Sequence, residues 1–317
     1  MIRRLLVPLD GSPTAEAAVP VASFLARSLE AAVILVHVIE KKAPRRVHGQ
    51  PHLQDSESAE RYLEETARRD FTPGTRVDIH VHTDGADTVA GGIVEHEGEL
   101  QYDLIIMCTH GRGKTMKLLF GSIAQEVSAL GNTPVLIVSP DKKNSYRRLP
   151  WRSILVPLDT QPTHDLALRV ARDLAAALRA TLHLVVIVPT FGTLPGRSAA
   201  SGRLLPGTVS RMLDMNVEQA KMYLAERKRE IEGSSLTVTA SVLRGEPADS
   251  IVKASRLLDI DLLVLATHGR MGWEGFWTGS IAHKVSSRCE LSVLLVPVSD
   301  GREPAAQSTG CRPAGPG

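Results

Sequence analysis

The stretch "DLIIMCTHGRGKTMKLLFGSIAQEV" at 103–127 decides the fold, because the chain repeats its design as "DLLVLATHGRMGWEGFWTGSIAHKV" at 261–285. Each copy opens on Asp and a short run of Leu, Ile, Val or Met, the pattern of a buried strand. Each closes on a helix-forming segment that starts at Gly-Ser. Between the shared THGR and GSIA, all eight positions differ. The chain therefore leaves a strand and enters a helix at fixed points while the path between is free to vary. That connection exceeds the usual βα loop of about 2–6 residues, which marks it as functional.

Working outward, "RRLLVPLD" at 3–10 returns as "RSILVPLD" at 152–159, and "VLIV" at 135–138 returns as "VLLV" at 293–296. A unit of roughly 140 residues has the size of a domain and is far too long for a solenoid repeat. The reading is a duplication, with one domain at 1–140 and a second at 152–299. A charged, proline-flanked linker at 141–151 joins them, and the tail at 300–317 is expected to be disordered.

Short aliphatic runs predict strands at 4–9, 32–39, 77–81, 103–108 and 134–138. Their counterparts are 153–158, 181–188, 236–243, 261–266 and 292–296. Helix-period segments lie between them. Val21, Phe24, Leu25 and Leu29 share one face of 12–30, and Leu166, Val170, Leu174 and Leu178 share one face of 162–179. Ser12 and Pro13 form a cap and first-turn pair, whereas Pro20 requires a kink or a late helix start. Strands alternating with helices predict an α/β protein of two tandem, open, doubly wound parallel five-stranded sheets of Rossmann-like type. Residues 41–56 and 189–208 interrupt the pattern, and the second of these, rich in Pro, Gly and Ser, is expected to be a mobile loop or lid.

Composition narrows the partners. The 317 residues are 43% apolar and 23% charged, with aromatics at only 4%, so the cores are aliphatic. A net charge of +2 gives no reason to expect nucleic acid or acidic lipid. The longest clear apolar run, "AAVILVHVI", is strand-sized and too short to span a membrane. The N-terminus reaches Pro8 and Asp10 too soon for a signal peptide. Three widely spaced cysteines, Cys108, Cys289 and Cys311, form no disulfide framework and suggest a reducing compartment. The expectation is a cytoplasmic protein.

The repeated loop carries the chemistry. Gly111 and Gly269 let the backbone approach a ligand at the carboxyl end of a strand, and Gly121 and Gly279 do so again before the helix. Ser122 and Ser280 add a hydroxyl beside the unpaired N–H groups of a first helical turn, an arrangement suited to phosphate. Asp10 and Asp159 end the first strands, where open α/β sheets bind ligands. Each can accept a hydrogen bond from a ribose hydroxyl or an adenine amine; the plainer role for Asp10 is to cap the following turn. His110 and His268 lie in the loops and suit local hydrogen bonds better than catalysis.

These residues together resemble the universal stress protein family in its tandem two-domain form: "VPLDGS" at the start, "LVHV" in the second strand and the Gly-x9-Gly-Ser loop. The resemblance implies a fold of the adenine-nucleotide alpha-hydrolase type and a loop reading Gly-x2-Gly-x9-Gly-Ser/Thr in ATP-binding members. Here the last two glycines and the serine fall on Gly111, Gly121 and Ser122, and on Gly269, Gly279 and Ser280. Cys108 and Ala266 replace the first glycine. Asp10 and Val38, with Asp159 and Ile187, match the adenine-contacting positions. By the same likeness Pro8, Leu9, Arg112 and Ile123 join the first site, and Pro157, Leu158, Arg270 and Ile281 the second. The second repeat reads "DTQ" where the first has Asp-Gly-Ser, and only the second keeps a Gly-x-Pro, at 245–247.

The implied function is regulatory binding of ATP or AMP in a stress response, with Mg2+ bridging the phosphates. The alternatives are an interaction protein of the same fold that has lost its ligand, and a slow ATPase. The chain contains no Walker motif and no "SGGxDS" loop. The family's strand order, 3-2-1-4-5, leaves the fifth strands as outer edges, and pairing 135–138 with 293–296 would make the chain an intrachain pseudo-dimer. A further homodimer is compatible with this.

Overall fold

The structure is a computed structural model that describes residues 2–41, 46–47, 50–51, 53–108, 121–139, 149–160, 165–194, 204–232, 236–268, 281–286, 288 and 291–298. The first repeat opens with β1 (Arg4–Pro8), the short α1 (Pro13–Glu16), α2 (Val19–Leu29) and β2 (Ala32–Glu40). A two-stranded ribbon follows, β3 (Arg46–Val47) and β4 (Gln50–Pro51), and then α3 (Ser56–Asp70) and β5 (Val77–Ala86). α4 (Val89–Glu95), α5 (Glu97–Leu100), β6 (Leu104–Cys108), α6 (Ser122–Leu130) and β7 (Val135–Val138) complete it. The second repeat runs β8 (Ser153–Leu158), α7 (Asp165–Leu178), β9 (Thr181–Val188), α8 (Pro206–Glu232), β10 (Val238–Arg244), α9 (Pro247–Leu257), β11 (Leu262–His268), α10 (Ile281–Ser286) and β12 (Ser292–Val298).

The strands form one ten-stranded sheet in the order β10-β9-β8-β11-β12-β7-β6-β1-β2-β5. Within this sheet the pairings inside each repeat are all parallel, as short strands joined through helices require, and the separate β3–β4 ribbon is antiparallel. The repeats meet at β7 and β12, which pair antiparallel with Leu136 opposite Leu294. What the sequence predicts as two five-stranded sheets is thus continuous across that junction.

Alternate residues of each strand enter two cores. On β7, Leu136 and Val138 face a core that includes α2, α3, α7 and α8. Val135 and Ile137 face the other, built with α4, α6, α9 and α10. Both cores contain residues of both repeats, so helices cover both faces of one sheet. Phe24 on α2 meets Trp151 edge-to-face with ring centroids 6.3 Å apart, bringing the start of the second repeat against the first.

The opening Asp of each quoted stretch has a structural task. Asp103 accepts hydrogen bonds from the backbone N–H groups of Arg3 and Arg4 at 2.7 and 3.0 Å. Asp261 accepts from those of Arg152 and Ser153 at the same two distances. One carboxylate thus fixes where the first strand of each repeat begins, beside the fourth. Two further pairs, Glu30 with Arg179 and Gln101 with Asp259, hold the same left-handed backbone at matching turns.

Local expectations are refined in three places. Helix formation around Pro20 restarts rather than kinks: α1 ends at Glu16 and α2 begins at Val19, with the proline in its first turn. Leu166 does not join the buried stripe of α7; it is 43% exposed, and the stripe runs through Ala167, Ala171, Leu174, Ala175 and Leu178. Those alanines let α7 approach the sheet and α2 closely, which moves the buried face around the helix by one position. Among its described residues the 189–208 segment holds a helical turn at Phe191–Thr193, and its last residues already belong to the 27-residue α8. Its middle, the linker residues 140–148 and the tail from Ser299 lie outside the described residues.

Candidate functional site

Parallel strands bring their carboxyl ends to one rim of the sheet, and in the first repeat β1, β2 and β6 are adjacent there. Leu9 continues β1 by donating its N–H to Val36 O at 2.8 Å, and the chain then reverses. Gly11 makes the reversal with φ +82°, and a Cβ there would meet the Leu53 side chain at 3.3 Å. Asp10 Oδ1 accepts from Ser12 N at 2.9 Å, and Ser12 Oγ accepts from Ala15 N at 3.1 Å to cap α1. The plain capping role expected for Asp10 is therefore present, and it fixes the carboxylate at the strand end.

At this rim lies a cavity of about 250 Å³. Pro8, Leu9 and Asp10 enter it from β1, and Val36, His37, Val38 and Glu40 from β2. Met107 and Cys108 close it from β6, Val89 and Ile93 from α4, and Gly121, Ile123 and Ala124 from the start of α6. Its volume is close to the lower end of small-ligand sites, roughly 300–1000 Å³, and its wall is mainly aliphatic.

His37, 2% exposed, braces the floor. Its Nδ1 lies 2.7 Å from Leu9 O and its Nε2 3.2 Å from Leu53 O, tying the 41–56 insertion to the end of β1. Gly121 sits at the N-cap of α6 with φ −57° and ψ 150°, and no side chain caps the helix. Among the described residues no side chain takes up the first-turn N–H groups of α6, which point to the cavity edge as an anion would require.

Of the first-repeat residues expected from sequence, Pro8, Leu9, Asp10, Val38, Cys108, Gly121 and Ile123 converge on this cavity. Ser122 stands exposed on the first turn of α6 and is not part of the wall. Gly111 and Arg112 lie outside the described residues, as does His110. In the second repeat Pro157, Leu158, Ile187 and Ala266 occupy the carboxyl ends of the adjacent strands β8, β9 and β11. Asp159 is exposed, and Ile281, on the first turn of α10, is 43% exposed. Gly269, Arg270, Gly279 and Ser280 lie outside the described residues.

Sequence reasoning misses the walls contributed by Val89 and Ile93. Their signal, a Thr88-capped helix after β5, is visible, but nothing local says that α4 packs over the strand ends. His37 could have been found: a histidine inside the apolar run "AVILVHVI" needs a polar partner.

Comparison with known proteins follows the same outline. The universal stress protein family profile matches residues 1–139 and 150–297. The chain belongs to the universal stress protein family, with two such domains in tandem. A universal stress protein of Mycolicibacterium smegmatis is 23% identical over 304 residues, covering 92% of this chain and 96% of the relative. The crystal structure of a universal stress protein from Archaeoglobus fulgidus aligns with a TM-score of 0.67 at 17% identity, covering 94% and 97% of the two chains. One from Pseudomonas aeruginosa aligns at 0.64 and 20% identity, covering 94% of each. Among the described residues no helix is long and apolar enough to cross a membrane.

Proposed function

We propose that the first repeat binds an adenine nucleotide, ATP or AMP, and that the protein acts in the cytoplasm as a nucleotide-responsive regulator in stress. The observation that carries this reading is the convergence on one cavity of Asp10 and Gly121, expected from the residues themselves, with Val38 and Cys108, implied by the family resemblance. The aliphatic wall from Val36, Val38, Ile93 and Met107 suits a purine face. Asp10 suits a ribose hydroxyl or adenine amine, and the uncapped start of α6 suits phosphate. Mg2+ would enter with the phosphates. The second repeat binds more weakly in this reading, since Asp159 has no Gly-Ser after it. Pairing of β7 with β12 supports the view that one chain acts as its own pseudo-dimer, and a further homodimer is compatible with it.

Mass spectrometry of small molecules released from the purified protein, followed by calorimetric titration with ATP and AMP, tests this. An adenine nucleotide is expected in the released fraction, with turnover of ATP far below the enzyme median of about 10 s⁻¹. A protein that releases no nucleotide and gives no binding heat with either ligand would refute the proposal.

A further inference from the structure

Outside the cavity, His80, His82 and His96 form a cluster that the nucleotide reading does not use. β5 is the outer strand of the sheet on the first-repeat side. His80 and His82 are two residues apart on it and so project to the same face. His96 lies at the corner between α4 and α5, with φ −88° and ψ 5°, and faces both. Its ring centroid is 4.6 Å from that of His80 and 4.8 Å from that of His82, each pair edge-to-face. One nitrogen from each of the three residues lies within 4.8 Å of the others.

The hydrogen bonds of the cluster are incomplete in an informative way. His96 Nδ1 lies 3.0 Å from Glu99 Oε2, so Nδ1 carries the proton and donates it. This leaves His96 Nε2 as an acceptor, 2.6 Å from His82 Nδ1, which donates to it. His82, 4% exposed, then has a buried Nε2 without a partner among the described residues, and His80 Nε2 is likewise buried and unpartnered among them. Leaving a buried polar group unsatisfied is costly, and apolar side chains would fill the same space without that cost.

We propose that His80, His82 and His96 form a binding site for a divalent transition-metal ion of the zinc class, with Glu99 orienting His96. Imidazole nitrogen is a ligand for Zn2+, Cu2+ and Ni2+, whereas Mg2+ and Ca2+ require oxygen. Nitrogens bound at about 2.0–2.1 Å from a tetrahedral ion stand about 3.3 Å apart. The 2.6 Å between His82 Nδ1 and His96 Nε2, bridged by a proton that the metal ion would displace, must open by under an ångström, and the longest separation must close by about 1.5 Å, within reach of ring rotations at the α4–α5 corner. A carboxylate on the distal nitrogen of a ligating histidine is the usual outer-sphere support, and Glu99 holds that position. Three protein ligands leave a fourth position for water. The ion would clamp β5, whose far side has no strand beside it among the described residues, to the end of α4.

The test uses the full chain, without a histidine tag and after chelator treatment. Titration with Co2+, followed by its visible absorption, is expected to saturate at about one equivalent per chain, with Zn2+ competing. Zn2+ is also expected to raise the melting temperature by mass action. The double variant His80→Gln, His96→Gln should lose the equivalent, and Glu99→Ala should weaken it by about tenfold or more. Ring-proton NMR of the unmodified chain needs no variant: Zn2+ should shift three of the 11 histidines, and assignment should place them at 80, 82 and 96. Absence of the equivalent in the unmodified chain, its survival in a folded double variant, or shifts at other histidines would each overturn the proposal.

Discussion

Leu136 and Leu294 lie directly opposite each other across the antiparallel junction of β7 and β12, and both are buried to within 1% of full enclosure. They are the point where two repeats become one sheet. Each repeat has its own strands and helices, but the residues on both sides of this junction belong to shared cores.

Replacing either leucine with alanine is expected to cost about 2–5 kcal/mol, the range for buried large-to-small changes. Because the side chains face each other, the double variant should cost less than the sum of the two by about 0.5 kcal/mol or more. Denaturant unfolding of the four proteins measures the difference. Strict additivity would mean that the two strands do not support each other in solution.

Gly121→Val probes the entrance to α6. Since φ at Gly121 is −57°, valine introduces no left-handed strain, and any effect on ligand comes from the added side chain at the cavity wall. ATP and AMP affinity should fall by about tenfold or more while circular dichroism remains native, a loss of about 1.4 kcal/mol of binding. Unchanged affinity in a folded variant would separate α6 from the ligand.

Asp10 performs two tasks that substitution can divide. Asp10→Asn keeps an oxygen that can accept from Ser12 N and so should leave the melting temperature nearly unchanged while weakening nucleotide binding. Asp10→Ala removes the turn's acceptor as well and should cost about 1 kcal/mol of stability. Equal melting temperatures for the two variants would show that the turn does not depend on the carboxylate.

His183 makes stability depend on pH. It accepts or donates to Ser153 Oγ at 3.0 Å and Thr239 Oγ1 at 2.8 Å, and burial holds its pKa below the ordinary 6.5. The unfolded chain therefore takes up a proton that the folded chain resists. The resulting penalty is absent well above pH 6.5 and grows as pH falls through it toward the folded value. His183→Gln should flatten the decline in melting temperature between about pH 7 and 5, whatever its constant offset. Parallel declines in the two proteins would assign the acid sensitivity to other groups.

Much of this protein can be read from its chain. The return of "LVPLD" and of the Asp-initiated strand before THGR establishes a duplication, and alternation of aliphatic runs with helical periods establishes parallel sheets. Even the caps are local: Ser12 acts within four residues of itself, and its hydrogen bond to Ala15 follows from its place before Pro13. Leu166 shows the limit. Periodicity tells that α7 has an apolar side, but whether that side is centred on Leu166 or on Ala167 depends on how closely the sheet and α2 approach.

The candidate site divides along the same line. Asp10 and Gly121 are legible because one follows a strand end and the other precedes a helix, and parallel strand ends must share a rim; Val38 and Cys108 are legible only through the family resemblance. Val89 and Ile93 are not, since their place in the cavity comes from α4 folding back over strands distant in sequence. The histidine cluster combines both cases. "IHVH" at 79–82 shows two histidines on one face of a strand, a property of the chain alone. Only the tertiary structure sets His96 against them, because the turn between α4 and α5 aims that ring according to how α4 packs on the sheet.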